Sequence, residues 1–518
     1  MIKGTLSEKK IFMSKGTIWR LMNMHLRYTI PLILLLFVNV SQPKAQGEYF
    51  WSEQARIPEY PDFTQEPPFL IADRNNTVHA FNSQALNLED DNSPSAIFYR
   101  QWTKDGGWTN PNDIIYNSAG GSLDILGAAS DSSGMVYLIY QQDFFNIYFT
   151  YAYLANAGSS TAWSQPVLIA GQSTHVSTGF LGIAAIAADG HGNIVVIYSG
   201  SQLGKGLYSV TSSDGGASWS DPYPVYLTGD ETMSVTDPAL VLGQSGSYHA
   251  VWATYLSDGG AGPGFYSKFD PATKTWTDPT QLDVPGIRTP DVTEYNGQII
   301  VSYYHDNVNG NWWRLSSDGG KSWSLPSQFS PRFVGTNGRV SFAVDSKNTL
   351  YAFFGERIND LNHGMWQCIW TGYAWTDPEP VVKGPQVRDV IGGNGFDPRA
   401  ARAVVSNGNV MLVTWTTDGF AGENGAWYSY KTLDAPALPA VPNPYPTPNV
   451  SVLATDTPVG LVIIESTNTP INLGDLSDQP SSFLLSPQTP IFSGAILVLV
   501  IIVGLLVLRS VTHSRDGH

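Results

Sequence analysis

The chain has 518 residues, of which 14% are charged, 42% apolar and 12% aromatic, with 50 glycines, 34 prolines, 16 tryptophans and a single cysteine. Its formal charge of −16 is unevenly spread: residues 1–46 count +6, residues 491–518 count +1, and the stretch 47–490 counts −23. So acidic a body argues against nucleic acid as a partner, because phosphate neutralisation supplies most of that affinity, and the lone Cys368 excludes an internal disulfide framework and a thiolate metal cluster.

At the start, Tyr28 to Val40 (YTIPLILLLFVNV) is an apolar run too short to span a bilayer and preceded by Arg27. This is the pattern of a signal-peptide core, so residues 1–46 read as a signal-peptide region. Met24 opens a signal of more ordinary length and is the expected translation start. The following SQPKAQG lacks a clean small-x-small cleavage site, which leaves removal and retention as an anchor both open.

The body, residues 47–434, is a repeat. Trp followed by Ser or Thr, with Pro two residues further on, occurs at Trp108, Trp163, Trp219, Trp276, Trp323 and Trp375, and a copy without the proline occurs at Trp51. The intervals are 57, 55, 56, 57, 47 and 52 residues. Between these marks lie polar turns followed by apolar runs rich in Val, Ile, Tyr and Trp, such as SDSSGMVYLIY, ADGHGNIVVIY and VSNGNVMLVTW. Short apolar runs bounded by Gly, Asn, Asp and Ser are strands, and four per roughly 50 residues is the signature of a propeller blade. The last copy, from Asp397 to Leu433, lacks its closing strand, while the first tryptophan strand, Phe50 to Pro58, lacks a blade before it. Joining the two ends predicts an all-β, seven-bladed β-propeller, with six blades as the runner-up, and removes the open sheet edges.

Beyond the body, residues 435–490 are rich in Pro, Thr, Ser and Asn and predict an extended stalk. Residues 491–508 (IFSGAILVLVIIVGLLVL) carry no charge and predict one transmembrane helix. Arg509 and Arg515 behind it predict a cytoplasmic tail over 509–518. The expectation is a single-pass protein of the cell membrane with its propeller outside.

Two repeats carry Ser-x-Asp-x-Gly-x-x-Trp in full: Ser212, Asp214, Gly216 and Trp219, then Ser316, Asp318, Gly320 and Trp323. The aspartate is suited to accept backbone N–H bonds across a tight turn, the glycine to supply positive φ, and the tryptophan to pack beneath. Altered copies occur at Asp105-Gly106-Gly107-Trp108 and at Asp270 ahead of Trp276. This pattern resembles the Asp-box, or bacterial neuraminidase repeat, and the body resembles the sialidase-like propeller superfamily. The resemblance implies the fold; the box stabilises a turn and performs no chemistry, so function has to be read from a site.

In a four-stranded blade the turn between the third and fourth strands lies opposite the start of the innermost strand. With the boxes at that turn, a ligand site is expected on the other face. Three consecutive repeats place arginine there: Arg288, Arg339, and Arg399 with Arg402. The run Phe354-Gly355-Glu356-Arg357-Ile358-Asn359-Asp360 is read as the loop after a second strand, and Tyr303, Tyr304, His305 and Asp306 as the corresponding loop one blade earlier. The resemblance implies arginines on a sugar carboxylate, a tyrosine nucleophile activated by glutamate and an aspartate acid/base. On that basis Tyr303, Tyr304, Glu356 and Asp360 are the catalytic candidates. Arg288, Arg339, Arg357, Arg399 and Arg402 are the substrate-binding ones. The plainer alternative is that these are scattered loop charges. Arg56-Ile57-Pro58 matches a sialidase motif but follows Trp51, where outer strands run.

No cofactor or metal is called for. His175, His191, His249, His305 and His363 are dispersed over different repeats and read as surface turn residues. Asp258, and Asp418 with Glu423, lie in similar Asp-Gly loops that suit calcium or simply a turn. Two functions of different class follow: a surface module that binds carbohydrate or a protein partner, and a sialidase-type glycoside hydrolase. A structural role in envelope assembly is a third.

Overall fold

The computed structural model describes residues 50–441, apart from 63–65, 91, 118–119, 143–145, 172–182, 309, 332–337, 357–363, 384–397 and 418–424. The expected signal region, most of the stalk, the transmembrane helix and the tail lie outside the described residues. Among those described, no helix is long and apolar enough to cross a membrane.

The apolar runs form seven antiparallel sheets, five of four strands and two of five, and in six of them the strands run in sequence order from the inside outward. Blade 1 comprises Phe69–Ala72, Val78–Ala85 and Ser95–Thr103, with Gly107–Trp108 and Asn112–Ile115 both pairing with the third strand. Blade 2 comprises Leu123–Ser130, Met135–Gln142, Asn146–Tyr153 and Val167–Ala170. Blade 3 comprises Ala184–Ala188, Ile194–Gly200, Gly206–Ser212 and Tyr223–Leu227. Blade 4 comprises Met233–Leu242, Tyr248–Leu256 and Ala261–Asp270, with Thr275–Trp276 and Thr280–Gln281 outermost. Blade 5 comprises Ile287–Tyr295, Gln298–His305, Gly310–Ser316 and Ser327–Gln328. Blade 6 comprises Ser341–Val344, Leu350–Glu356, Gly364–Ile369 and Glu379–Lys383.

Blade 7 closes the ring from both ends of the body. Its inner three strands are Pro398–Ser406, Val410–Thr417 and Ala426–Thr432, and its outer strand is Ala55–Arg56 from the start of the chain. Ala55 pairs with Tyr428 and Arg56 with Trp427. The Ser52 N–H donates to the Tyr430 carbonyl at 2.8 Å, and the Ile57 N–H to that of Ala426 at 2.9 Å. Arg56 also ion-pairs with Asp62 at the surface, so the Arg-Ile-Pro triplet belongs to an outer strand.

Side-chain alternation explains the packing. The second strands are buried on both faces, as Ile194–Gly200 shows over its whole length, and read as near-continuous apolar runs. Hydrophobic clusters fill the interfaces between successive blades. Ile139, Phe149, Ile194 and Tyr208 join blades 2 and 3, and Val78, Trp102, Val410 and Leu412 join blades 1 and 7 across the closure. Cys368 is buried in one such cluster, and burial pushes its thiol pKa up.

Antiparallel order puts the first-to-second and third-to-fourth turns of every blade on one face, here the turn face. Strand entries and second-to-third loops lie on the other, the entry face. On the turn face the two Ser-x-Asp-x-Gly-x-x-Trp segments are superimposable in their bonding. Asp214 Oδ1 accepts from the Ser212 hydroxyl at 2.7 Å and the Ser218 N–H at 2.9 Å, while Ser212 Oγ accepts the Gly216 N–H at 2.9 Å. In the second copy Asp318 Oδ1 accepts from Ser316 Oγ at 2.8 Å and the Ser322 N–H at 2.9 Å. These bonds, the serine hydroxyls at positions 218 and 322 first, hold both aspartates at a pKa of about 2.

The glycines Gly216 and Gly320 have φ of 92° and 89° and lie against the preceding blade. A Cβ on Gly216 would stand 2.2 Å from Phe149 Cε1, and one on Gly320 would stand 2.3 Å from Tyr266 Cε1. Trp219 and Trp323 meet the same two rings edge-on, at 4.9 and 5.0 Å between centroids. Each of these turns therefore pins one blade to its predecessor. The tryptophan sits in the turn ahead of the outer strand rather than within it, since Tyr223–Leu227 and Ser327–Gln328 begin only after Trp219 and Trp323.

The exit segment also crosses the turn face. The Leu438 N–H donates to the Asn407 carbonyl at 2.8 Å, Ser346 Oγ to that of Pro436 at 2.5 Å, and the Val441 N–H to that of Arg74 at 3.1 Å. Blades 6, 7 and 1 are thereby tied together, on both sides of the closure.

Candidate functional site

A cavity of about 210 Å³ opens among the innermost strands and the segments that enter them, and it is bordered by all seven blades. Its apolar wall is Phe69, Leu126 to Ala128, Ala184 to Ile186 and Pro238 to Leu240; its polar side chains are Glu66, Asp291, Arg339, Ser341 and Arg402. Contact with every blade places it on the propeller axis, toward the entry face.

Irregular backbone puts the charges there. The innermost strands of blades 4, 5 and 7 each break register: between Thr236 and Ala239, between Arg288 and Asp291, and between Arg399 and Arg402. In each case the residue just after the break begins is left-handed: Asp237 at φ 51°, Thr289 at 43° and Ala400 at 52°. A β-branched threonine at positive φ is strained, and such strain persists only where the surroundings over-determine it. A bulge re-aims the side chains that follow it, here those of Asp291 and Arg402.

Two carboxyl groups, of Glu66 and Asp291, and two guanidinium groups, of Arg339 and Arg402, line this space, and the buried Asp237 directly precedes the lining residue Pro238. Arg402 Nη2 ion-pairs with Glu66, and its guanidinium carbon lies 3.6 Å above the Phe69 ring centroid. Arg339 lies in the field of both Asp237 and Asp291. Burial pushes the Asp237 carboxyl up to about 7 against the opposing pull of Arg339 and the Thr289 N–H. Burial likewise raises Asp291, opposed by Arg339, the Val292 N–H and Arg402. Asp237 is 2% exposed, and its Oδ1 has no hydrogen-bond partner, nor has the buried hydroxyl of Thr289. Orphaned polar atoms beside strained backbone are costly to folding, which marks the irregular strands of blades 4 and 5, next to the cavity lining, as something other than packing.

The arginine candidates divide. Arg339 and Arg402 face the cavity together. Arg288 Nε donates to Asp306 Oδ2 at 2.6 Å, its guanidinium lies over Tyr255, and it does not border the cavity. Arg399 is half-buried in the same innermost strand as Arg402, also away from the lining. Arg357 and Asp360 lie outside the described residues.

The tyrosine and glutamate candidates correct the loop assignment. Tyr303 and Tyr304 lie inside the strand Gln298–His305, and Glu356 ends the strand Leu350–Glu356, so these candidates stand on strands and not on loops. Tyr303 is fully buried in the interface of blades 4 and 5, where its hydroxyl donates to Asp283 Oδ2 at 2.5 Å. Burial first, then that carboxylate, drives its pKa upward, the opposite of what a nucleophile needs. Tyr304 is half-buried, with its Cα opposite that of Arg288, and Glu356 is fully buried. The strands simply continue further than the turn residues suggest, because apolar alternation persists through Tyr303 and Phe354.

His249 and His305 are buried rather than on surface turns. His249 Nδ1 lies 2.8 Å from Tyr266 Oη and its Nε2 3.2 Å from Glu294 Oε2. His79 in blade 1 has the same setting, 2.7 Å from Tyr99 Oη and 3.2 Å from Asp73 Oδ2. His191 is the exposed turn residue expected, while positions 175 and 363 lie outside the described residues. Asp258 Oδ1 accepts the Gly260 N–H at 2.9 Å and makes a turn; positions 418 and 423 are outside the described set. Among the described residues no three His, Cys, Asp or Glu side chains are placed to hold a metal ion.

Glu66, Asp237 and Asp291 are the site residues that the sequence reading passed over. Their available signal was an acidic residue beside proline at an innermost-strand entry: Glu66-Pro67, Asp237-Pro238 and Pro290-Asp291. Proline belongs at a strand's first residues or at a bulge, so the repetition marks the irregular entries.

No protein-family model matches the chain, and no curated protein matches it. Solved structures do. A protein of unknown function from Dyadobacter fermentans aligns at 16% identity and a TM-score of 0.46, over 75% of this chain and all of that one. The sialidase of Trypanosoma rangeli aligns at 13% identity and a TM-score of 0.40, over 73% of this chain and 59% of its own length. The endosialidase of phage phi92 aligns at 10% identity and a TM-score of 0.43, over 77% of this chain and 71% of its own.

Proposed function

We propose that the protein is a carbohydrate-binding propeller, displayed outside the cell membrane by the stalk and the apolar segment 491–508, that takes a glycan terminus into its axial cavity from the entry face. One observation carries this reading: a cavity that all seven blades border is lined by Glu66, Asp291, Arg339 and Arg402, and three of the innermost strands that border it carry left-handed residues at register breaks. Guanidinium and carboxyl groups around an apolar wall suit a ring bearing hydroxyls, which donate and accept together. The Ser-x-Asp-x-Gly-x-x-Trp turns, read as Asp-boxes, belong to the scaffold and not to this site.

A glycoside hydrolase is the second reading, and Asp237 is the observation that favours it. Burial raises its carboxyl pKa to about 7, next to the lining residue Pro238, and a raised pKa is what a general acid requires. The sequestered Tyr303 weighs against a tyrosine nucleophile. Glycan-array binding by the full-length chain, followed by turnover assays on whatever binds, separates the readings. Binding without turnover, lost on Arg339→Ala, supports the module; turnover lost on Asp237→Asn supports the hydrolase. An array with no binder refutes both.

A further inference from the structure

A buried guanidinium in blade 1 holds the segment that runs from the closing strand to the axial cavity. Arg100 stands in the third strand, Ser95–Thr103, and is fully buried. Its Nη1 donates to Asn82 Oδ1 at 2.5 Å, and its Nη2 donates to Gln84 Oε1 and to the Glu59 carbonyl, both at 2.8 Å. All three acceptors are neutral, and among the described residues no carboxylate lies within ion-pairing distance of it. Burial lowers its pKa to about 10, against the opposing fields of Tyr60 and Glu59, so the charge is kept at neutrality.

A buried cation without an ion-pair partner is costly, and an apolar side chain in its place often packs as well. Trp102, two residues on, fills the interface with blade 7 in that way. What the guanidinium adds is direction. Two of its bonds stay within blade 1, and the third reaches Glu59, which is left-handed at φ 50°. Its carbon also lies 5.2 Å from the ring centroid of the buried Tyr60, whose hydroxyl donates to the Glu66 carbonyl at 3.2 Å. Glu66 borders the cavity and ion-pairs there with Arg402.

We propose that Arg100 is a positioning residue for the axial site: through Glu59 and Tyr60 it fixes where Glu66 meets Arg402. The segment that closes the ring thereby also sets the geometry of the cavity. This rests on reading the cavity as the ligand site, but not on which ligand it takes.

Tyr60→Phe removes one hydroxyl bond and keeps the ring, while Arg100→Met keeps an unbranched stem and removes the donors. The full-length chain and both variants, each confirmed folded by its melting transition, are compared by amide hydrogen exchange. In Tyr60→Phe, exchange should rise about threefold or more over Phe69–Ala72 and over 399–402, with Ala426–Thr432 as protected as in the natural chain. A role in packing alone would leave 399–402 unmoved, and that result in the folded variants overturns the proposal. So does a rise shared by Ala426–Thr432, which marks a loosened closure instead. On a glycan array, the half-saturating concentration of both variants should increase about tenfold on each glycan that the natural chain binds. Unchanged affinity in Tyr60→Phe also overturns the positioning role. The carbohydrate reading fails separately, on an array with no binder, while hydrogen exchange still decides whether Arg100 and Tyr60 place Glu66.

Discussion

The two faces of this propeller are built on opposite principles. On the turn face four carboxylates are satisfied by neighbours in the chain: Asp73, Asp131, Asp189 and Asp345 each accept backbone N–H bonds from residues two and four further on. Asp214 and Asp318 repeat this in the box turns. On the entry face Asp237 is buried, raised in pKa and left with one carboxyl oxygen unbonded, and the half-buried Asp291 is raised in pKa as well. The first arrangement lowers free energy and the second raises it. A molecule that stabilises one end and stores strain at the other has separated its scaffold from its site.

The comparison is broken most severely at the closure. Removing residues 50–58 strips the outer strand from blade 7, exposes its edge and removes buried Ile57 and the packing of Trp51 on Phe353. The expected loss is at least ~3–5 kcal/mol, comparable to deleting a large core side chain, and urea denaturation reads it. A deletion protein with the natural midpoint would mean that the ring closes elsewhere.

Asp237→Asn sharpens the contrast because its sign is opposite. The folded pKa of about 7 lies above the ordinary 3.8, so the folded state binds the extra proton between these values. The cost of that carboxyl is absent below pH 4, grows as pH rises towards 7, and is constant above it. The asparagine variant is therefore expected to be more stable than the natural protein at pH 8, by roughly 2–4 kcal/mol, with the difference vanishing near pH 4. Chemical denaturation at the two pH values measures it. A variant less stable at pH 8 would show that the site is not strained by this charge.

Gly216→Ala and Gly320→Ala test the turn face. Each adds a methyl group against Phe149 or Tyr266 at a backbone angle that L-residues avoid, and a loss of about 1–3 kcal/mol is expected. Ligand binding at the far cavity should be unchanged in the folded variants. Asp214→Ala and Asp318→Ala act at exposed turns and should lower the melting temperature least, again without touching binding. Loss of binding in any of these four would erase the division between the faces.

The inter-blade pair of His249 and Glu294 gives a pH test of the scaffold. Burial lowers the histidine pKa, and the Ser245 and His249 bonds outweigh burial to lower that of Glu294. Both groups bind protons more readily when unfolded, so their contribution is present near neutrality and is lost as pH falls, first below about 6.5 for the histidine. Glu294→Gln should flatten the acid limb of a stability–pH curve; an unchanged limb would assign acid sensitivity to other groups.

Repeat period, strand content and the shared seventh blade were legible in the sequence, because they depend on local apolar alternation and on Trp and Gly at fixed offsets. Strand ends were less so: Tyr303 and Glu356 looked like loop residues because polar turn formers follow closely, yet hydrogen bonding to neighbouring strands carries each run on. Arg339 and Arg402 were found from their place at strand entries, whereas the acids near them come from blades 1, 4 and 5, far away in sequence, and only ring closure brings them together.

Gly243 shows the division most clearly. At the turns of blades 1, 2 and 6 an aspartate binds the side chain six residues on: Asp73 with His79, Asp131 with Tyr137, and Asp345 with Tyr351. Blade 4 has Gly243 at that position and His249 six residues later, so the sequence shows a histidine with no acid. The acid is Glu294, from blade 5, and its Oε2 would lie 1.9 Å from any Cβ on Gly243. Local sequence determines what short-range hydrogen bonds and side-chain alternation can enforce, which is the blade. Which charge faces which across blades depends on closing the ring, and only the tertiary structure decides that.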